Sequence, residues 1–214
     1  MDTIAKQIVM TKKIYFCILF LFALVALHAN NNTIARLANK IEKDSTIIQF
    51  SESIKAFSNI QPLVKNNWLV EYYIAFGNVQ IAMLSDEKKQ IIDFLHKSST
   101  HIDIADSLSP NNSEILSVKA FIAQVTIKTN KLKALKMSRL ADNYLDKALM
   151  INPNNPRAMF LKGQNLFYTP KAVGGGNKKA LPFFIKAREL FKNNTNFPKW
   201  GASQNLDQIK ICSK

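Results

Sequence analysis

Two cysteines, six glycines and seven prolines in 214 residues are few enough to remove whole classes of fold. Cys17 and Cys212 cannot supply the dense disulfide framework on which small secreted domains rely. So little Gly and Pro leaves a β fold with many tight turns, or a low-complexity chain, without its punctuation. Acidic residues are also scarce: 15 Asp and Glu stand against 29 Lys and Arg, a formal charge of +14. That imbalance points to an anionic partner. The apolar run Ile14 to Leu27 has 14 residues, short of the roughly 20 that cross a bilayer core. With 47% hydrophobic and 21% charged residues, the chain has a globular composition in which helices are the leading expectation.

The first 29 residues are expected to be a secretory signal peptide. Lys6, Lys12 and Lys13 form a basic n-region, Ile14 to Leu27 an apolar h-region, and His28-Ala29 a small-residue site at which cleavage follows Ala29. Met10 offers a second start with a sufficient n-region. The alternative is an uncleaved membrane anchor. Cys17 lies inside the h-region, which argues against a lipoprotein anchor. Export leaves 26 basic and 14 acidic residues and one cysteine, Cys212, so no internal disulfide forms and nucleic acid drops out as a partner. The expected location is periplasmic or secreted. A Lys-, Asn- and Ile-rich chain of this kind reads as bacterial, and its Asn-x-Ser/Thr triplets at Asn31, Asn111 and Asn193 carry no message.

From residue 31 onward apolar residues recur at spacings of three and four, with no alternating strand pattern. Leu140, Ala141, Tyr144, Leu145, Ala148 and Leu149 form one such stripe; Ile91, Ile92, Phe94, Leu95, Ile102 and Ala105 form another. Breaks at Asn66-Asn67, Ser85-Asp86, Pro110-Asn111-Asn112, Pro153-Asn154-Asn155-Pro156 and Gly174-Gly175-Gly176-Asn177 predict helices over 33–58, 64–83, 87–108, 113–128, 132–151, 156–168, 177–193 and 203–211. The domain division is 1–29 signal peptide, 30–63 capping helices and 64–214 a helical repeat domain.

Two of the breaks are near-copies. Ala105 and Pro110 recur as Ala148 and Pro153, an offset of 43 in both. Ala75, Ala120 and Gly163 mark the first helix of three successive hairpins; Ala105, Ala148 and Ala187 mark the second. These residues resemble the tetratricopeptide repeat, as divergent copies in an exported bacterial protein of Bacteroidetes type. Ala141, Leu145, Ala148 and Pro153 match its second-helix signature; Ala105 and Pro110 repeat the end of it, with Ser98 in place of the first Ala and Ile102 as the large residue. Gly163, Ala180, Phe184 and Ala187 fit the third copy, which lacks the Pro. The usual period is about 34, so the extra residues fall within each pair, at 126–133 and 168–176. The resemblance spans about 68 to 190 and implies an all-α fold, a short α-solenoid of about three helical hairpins with flanking capping helices. The tail at Pro198-Lys199-Trp200-Gly201 is expected to close the far end. A weaker likeness, carried by the glycine-rich insert, is to exported helical-repeat components of some tripartite solute transporters.

No catalytic constellation emerges, and no cofactor or metal is called for. His96 and His101 are five apart, where a helical zinc pair needs four. Asp93, Asp103 and Asp106 read as a solvated helix surface. The family's groove positions, carried across, fall on Tyr72, Phe76, Phe121, Gln124, Arg157, Phe160 and Gln164, and the resemblance implies a concave surface that holds a peptide or protein. Replacing Tyr72 and Phe160 with Ala is expected to weaken such binding while sparing the fold. The other reading of these aromatics is that they are core. Gly175, Gly176, Lys178 and Lys179 at a helix start make a weaker anion candidate; a flexible turn capped by Asn177 is the alternative. The function expected is an exported interaction scaffold and not an enzyme, with a solute- or lipid-binding accessory of an envelope transport system as the alternative. After Pro110 the chain holds 18 basic and 5 acidic residues, against 8 and 9 between the signal and Pro110, so acidic protein or anionic envelope lipid is a further candidate partner.

Overall fold

A computed structural model describes residues 32–213. The expected signal peptide, residues 1–29, lies outside the described residues. The described chain is all-α, without a strand: α1 (32–41), α2 (Ile47–Ile60), α3 (Trp68–Leu84), α4 (Lys88–Leu108), α5 (Ser113–Thr126), α6 (Ala134–Ile151), α7 (Pro156–Tyr168), α8 (Asn177–Lys192) and α9 (Ala202–Cys212). No helix among the described residues is long and apolar enough to cross a membrane.

Asparagines start three of these helices. The side chains of Asn67, Asn112 and Asn155 each accept from amides of the first turn, which is why the Asn-rich breaks were readable as helix starts. One expected helix, 33–58, is in fact two. Thr46 accepts from the Gln49 amide and the Gln49 side chain accepts from Thr46 N–H, a capping box that begins α2 and stops α1 from running through. Ser53 Oγ then donates to Asp44 Oδ2 at 2.5 Å, folding the intervening turn back on α2.

The period of 43 survives in the folded chain. α4 and α6 end at Leu108 and Ile151, and α5 and α7 begin at Ser113 and Pro156, each pair 43 apart. α3 packs chiefly on α4, α5 on α6 and α7 on α8, while α5 also touches α3 and α7. The first helices of the three pairs therefore stand in a row with the second helices behind them. Small residues set the spacing: a Cβ added at Gly163 would sit 2.6 Å from the Phe184 ring, so α7 and α8 approach as closely as glycine permits. Ser98, where the repeat pattern has Ala, donates to the Ala75 carbonyl at 2.7 Å and so joins α4 to α3.

Both ends of the row are stitched. At one end Ser113 Oγ donates to Ala148 O and Asn155 Nδ2 donates to Ser113 Oγ, both at 2.8 Å, tying the 109–112 and 152–155 turns together. At the other, Lys128 Nζ donates to the carbonyls of Met83 at 2.6 Å and Ser85 at 2.8 Å, which binds the α5–α6 connection to the α3 C-terminus. The core stripes are narrower than expected. Ala141, Leu145 and Ala148 are fully buried, but Leu140 and Ile92 point to solvent.

Candidate functional site

α3 is the most enclosed helix, buried on every side from Val70 to Ala82 because α2, α4, α5 and the C-terminal segment surround it. The row of first helices presents Tyr72 and Phe76 from α3, Phe121 from α5 and Arg157 and Phe160 from α7. The chain itself covers this face. The Trp200 ring stacks on Phe76, with centroids 4.8 Å apart and planes at 26°, and on Phe121 at 6.2 Å and 27°. Its Nε1–H donates to the Tyr72 hydroxyl at 2.8 Å. Gly201, at a φ of +102°, turns beside Phe160 and Phe191, where a side chain would have neither the space nor the backbone freedom.

Polar groups around this plug are paired across long sequence distances. Tyr73 Oη donates to Glu42 Oε1 at 2.5 Å, and the Lys199 amide donates to the same oxygen at 2.6 Å. Burial raises the Glu42 carboxyl above its ordinary value even though both hydrogen bonds pull it down. Burial, followed by the charge of Glu42, pushes the Tyr73 phenol far above its usual range, and burial with the charge of Glu114 does the same for Tyr72. Arg157 grips Glu114 in a fork, Nε to Oε2 at 2.5 Å and Nη2 to Oε1 at 2.6 Å. Burial acts to lower the Arg157 pKa, but the Glu114 carboxylate outweighs it and the guanidinium stays charged. Its Nη1 has no protein partner.

The seven expected groove residues are brought to one region of the molecule but not to an open surface. Tyr72, Phe76, Phe121, Arg157 and Phe160 are buried: the first three lie under Trp200, Arg157 is spent on Glu114, and Phe160 packs on Phe184 beside Gly201; Gln124 Nε2 donates to the Leu161 carbonyl at 2.9 Å, and Gln164 is half-buried. Tyr72 and Phe160 are buried in this arrangement, so their joint replacement by Ala is expected to destabilise the fold, not to spare it. The tail does not close the far end as expected. It crosses back over the first helices to α3 and Glu42, 157 residues away from Lys199.

The glycine turn is likewise committed. Gly176 N–H donates to Leu166 O at 2.8 Å and Gly175 N–H to Pro170 O at 3.2 Å, so neither amide is free for an anion, while Lys178 and Lys179 are exposed. Gly176, not Asn177, is the N-cap of α8, at a φ of +97°. His101 Nδ1 lies 2.7 Å from Glu71 Oε2, tying α4 to α3. Among the described residues, no group of three or more His, Cys, Asp and Glu could hold a metal ion.

An open trough of about 520 Å³ lies elsewhere, along the outer side of α6. Leu132, Leu135, Lys136, Arg139, Leu140 and Asn143 line it. These positions recur at spacings of three, one, three, one and three, which places them on one helical stripe. The stripe carries three exposed leucines and two cations that form no ion pair among the described residues. The signal was present in the sequence as a second i, i+3, i+4 series, masked because Leu140 also fits the neighbouring core series through Ala141 and Leu145.

No family model matches the chain, and no curated protein matches it. Among solved structures, the HusA haemophore from Porphyromonas gingivalis superposes with a TM-score of 0.72, covering 87% of this chain and 92% of that chain at 26% identity. The chain is similar to a haemophore. The similarity runs through most of both molecules.

Proposed function

We propose that the chain is an exported carrier of a flat, largely apolar ligand bearing carboxylates, with haem and related porphyrins as the class. The likeness to a haemophore over about nine-tenths of both chains carries the reading. The α6 trough supports it chemically. Leucine side chains offer a surface for the macrocycle, and Lys136 and Arg139 stand where two propionates would pair with them. The trough contains no His, Cys, Tyr or Met, so the iron would draw no axial ligand from it. Binding by face and propionates alone is therefore the expectation.

The three helix pairs are read as divergent tetratricopeptide-like repeats, on the strength of the 43-residue step and the small-residue contacts. A peptide scaffold working through the inner face would first have to expel Trp200, which counts against that reading. Export follows from the basic and apolar N-terminal pattern and agrees with a carrier working in the envelope or outside the cell.

Titration with haem, followed by the Soret band and by tryptophan fluorescence, tests the proposal. Iron-free protoporphyrin should bind within about threefold of haem. Leu135→Asp, or Lys136→Glu with Arg139→Glu, should weaken both by about tenfold or more, since a hydrogen bond to a charged group contributes ~1.5–3 kcal/mol. Absence of saturable binding would overturn the function. Unchanged affinity in the trough variants would overturn the site, and strict dependence on iron would overturn the mode of binding.

A further inference from the structure

Basic side chains gather at one end of the helix row. The α3–α4, α5–α6 and α7–α8 connections all lie at one end. Lys128 joins the first two through the Met83 and Ser85 carbonyls, and Ser138 joins α6 to the third through Asn165 at 3.2 Å and Thr169 at 3.4 Å. Residues 85–89, 127–139 and 169–179 together hold ten basic and two acidic side chains. All ten basic residues are exposed, and among the described residues none of them forms an ion pair; Lys128 alone is held by the Met83 and Ser85 carbonyls. At the other end the 109–112 and 152–155 turns hold no charge, and the 61–67 and 193–201 connections hold one lysine each, Lys65 and Lys199.

The cationic end is also apolar at its tips. Leu132 is 95% exposed, Tyr168 72% and Val173 61%, each on or beside one of those connections. Lys131 and Lys133 flank Leu132, and Lys171 precedes Val173 by two residues. Single exposed apolar side chains are ordinary on a surface. Three at the tips of adjacent loops, each within three residues of an unpaired lysine, have the composition of a surface that enters a headgroup layer: the apolar tips dip below the phosphates and the ammonium groups remain level with them.

We infer that this end of the molecule is a docking surface for an anionic lipid bilayer. Charge complementarity selects the occupant. Ten cations distributed over three loops match a plane of phosphates better than they match one small anion, and within those three segments the only acidic residues are Asp86 and Glu87. The inference does not need the ligand in the trough: without Lys136 and Arg139, which line it, eight basic residues remain on the three connections. It brings the Leu132 end of the trough close to the membrane, where an apolar cargo could be received or released.

Co-sedimentation of the chain with vesicles of equal phosphatidylglycerol and phosphatidylcholine, against phosphatidylcholine alone, provides the test. Partitioning should favour the anionic vesicles by about tenfold or more, and should fall by a similar factor between 50 and 500 mM salt as the charges are screened. The triple reversal Lys131→Glu, Lys133→Glu, Lys171→Glu lies outside the trough lining and should abolish the preference. Reversal of Lys147 and Lys186, away from this end, should leave it. Leu132→Ser with Val173→Ser should reduce the part of binding that survives high salt. Equal binding to neutral vesicles, no binding at 50 mM salt, or equal loss on reversing Lys147 and Lys186 would overturn the assignment. Circular dichroism of each variant confirms folding. Haem titration of the triple reversal keeps the two proposals apart, because its porphyrin affinity should be unchanged whichever way the vesicles behave.

Discussion

Trp200→Ala should cost the protein far more than a residue fourteen positions from the C-terminus usually does. The side chain is buried, its ring lies on Phe76 and Phe121, and its N–H is the donor to the buried Tyr72 hydroxyl. Truncating a buried Trp or Phe to Ala costs about 3–5 kcal/mol through lost transfer energy and the cavity left behind. In a domain of this size 1 kcal/mol lowers Tm by roughly 2–4 °C, so a fall of about 6–20 °C is expected. In urea, with a slope of about 2 kcal/mol/M, the midpoint should drop by about 2 M. Trp200→Phe is the informative companion: it keeps a ring on Phe76 but leaves the Tyr72 hydroxyl without its donor, a loss of about 1–3 kcal/mol. Urea unfolding followed by far-UV circular dichroism and by Trp68 fluorescence, which remains in both variants, gives the two numbers. A destabilisation below about 1 kcal/mol in Trp200→Ala would refute the docked tail, and with it the claim that the face of first helices is occupied.

Two further outcomes follow from the same geometry. Gly163→Ala should destabilise by about 1–3 kcal/mol because the new methyl meets the Phe184 ring; helix propensity alone favours Ala by about 1 kcal/mol, so a rise in Tm in thermal unfolding would show that α7 and α8 are not in close approach. Glu42→Gln keeps an oxygen for Tyr73 Oη and the Lys199 amide but removes the ionisation. Because the folded carboxyl titrates above its unfolded value of ~4.3, the native state binds the extra proton, and wild-type stability should fall relative to the variant as pH rises from about 4 through the raised value. Urea unfolding at several pH values checks this, and a relative gain for wild type with rising pH would contradict it.

Local signals accounted for most of the architecture. The Asn and Pro at 110–112 and 153–156 set helix ends by side-chain capping and by a missing amide, effects that act within a turn of the residue responsible, so α4 to α7 were readable to within two residues. Gly163 and Ala148 revealed which faces meet for the same reason. The break at 42–46 was missed because the run has no Pro or Gly, although Thr46 and Gln49 stand three apart, the spacing of a capping box. Placement of the groove residues failed for a different cause. Tyr72 and Phe160 have the spacing of an inner face, but what covers that face is Trp200, a contact over 128 residues of sequence that leaves no periodic trace. The trough was hidden by Leu140, which satisfies two adjacent helical series at once.

The bonds from Lys199 to Glu42 and from Trp200 to Tyr72 change how this molecule can come apart. A row of helix pairs that touch only their neighbours frays from its ends, since the last pair can melt while the rest stays intact. Here the last segment is fastened to the first, so loss of α8 or α9 strips the cover from α3, and the amides of both ends should exchange with solvent in one cooperative step instead of in order of position. The same fastening makes the chain wait during synthesis: α3, complete in sequence by residue 84, has no lid until residue 200 has emerged.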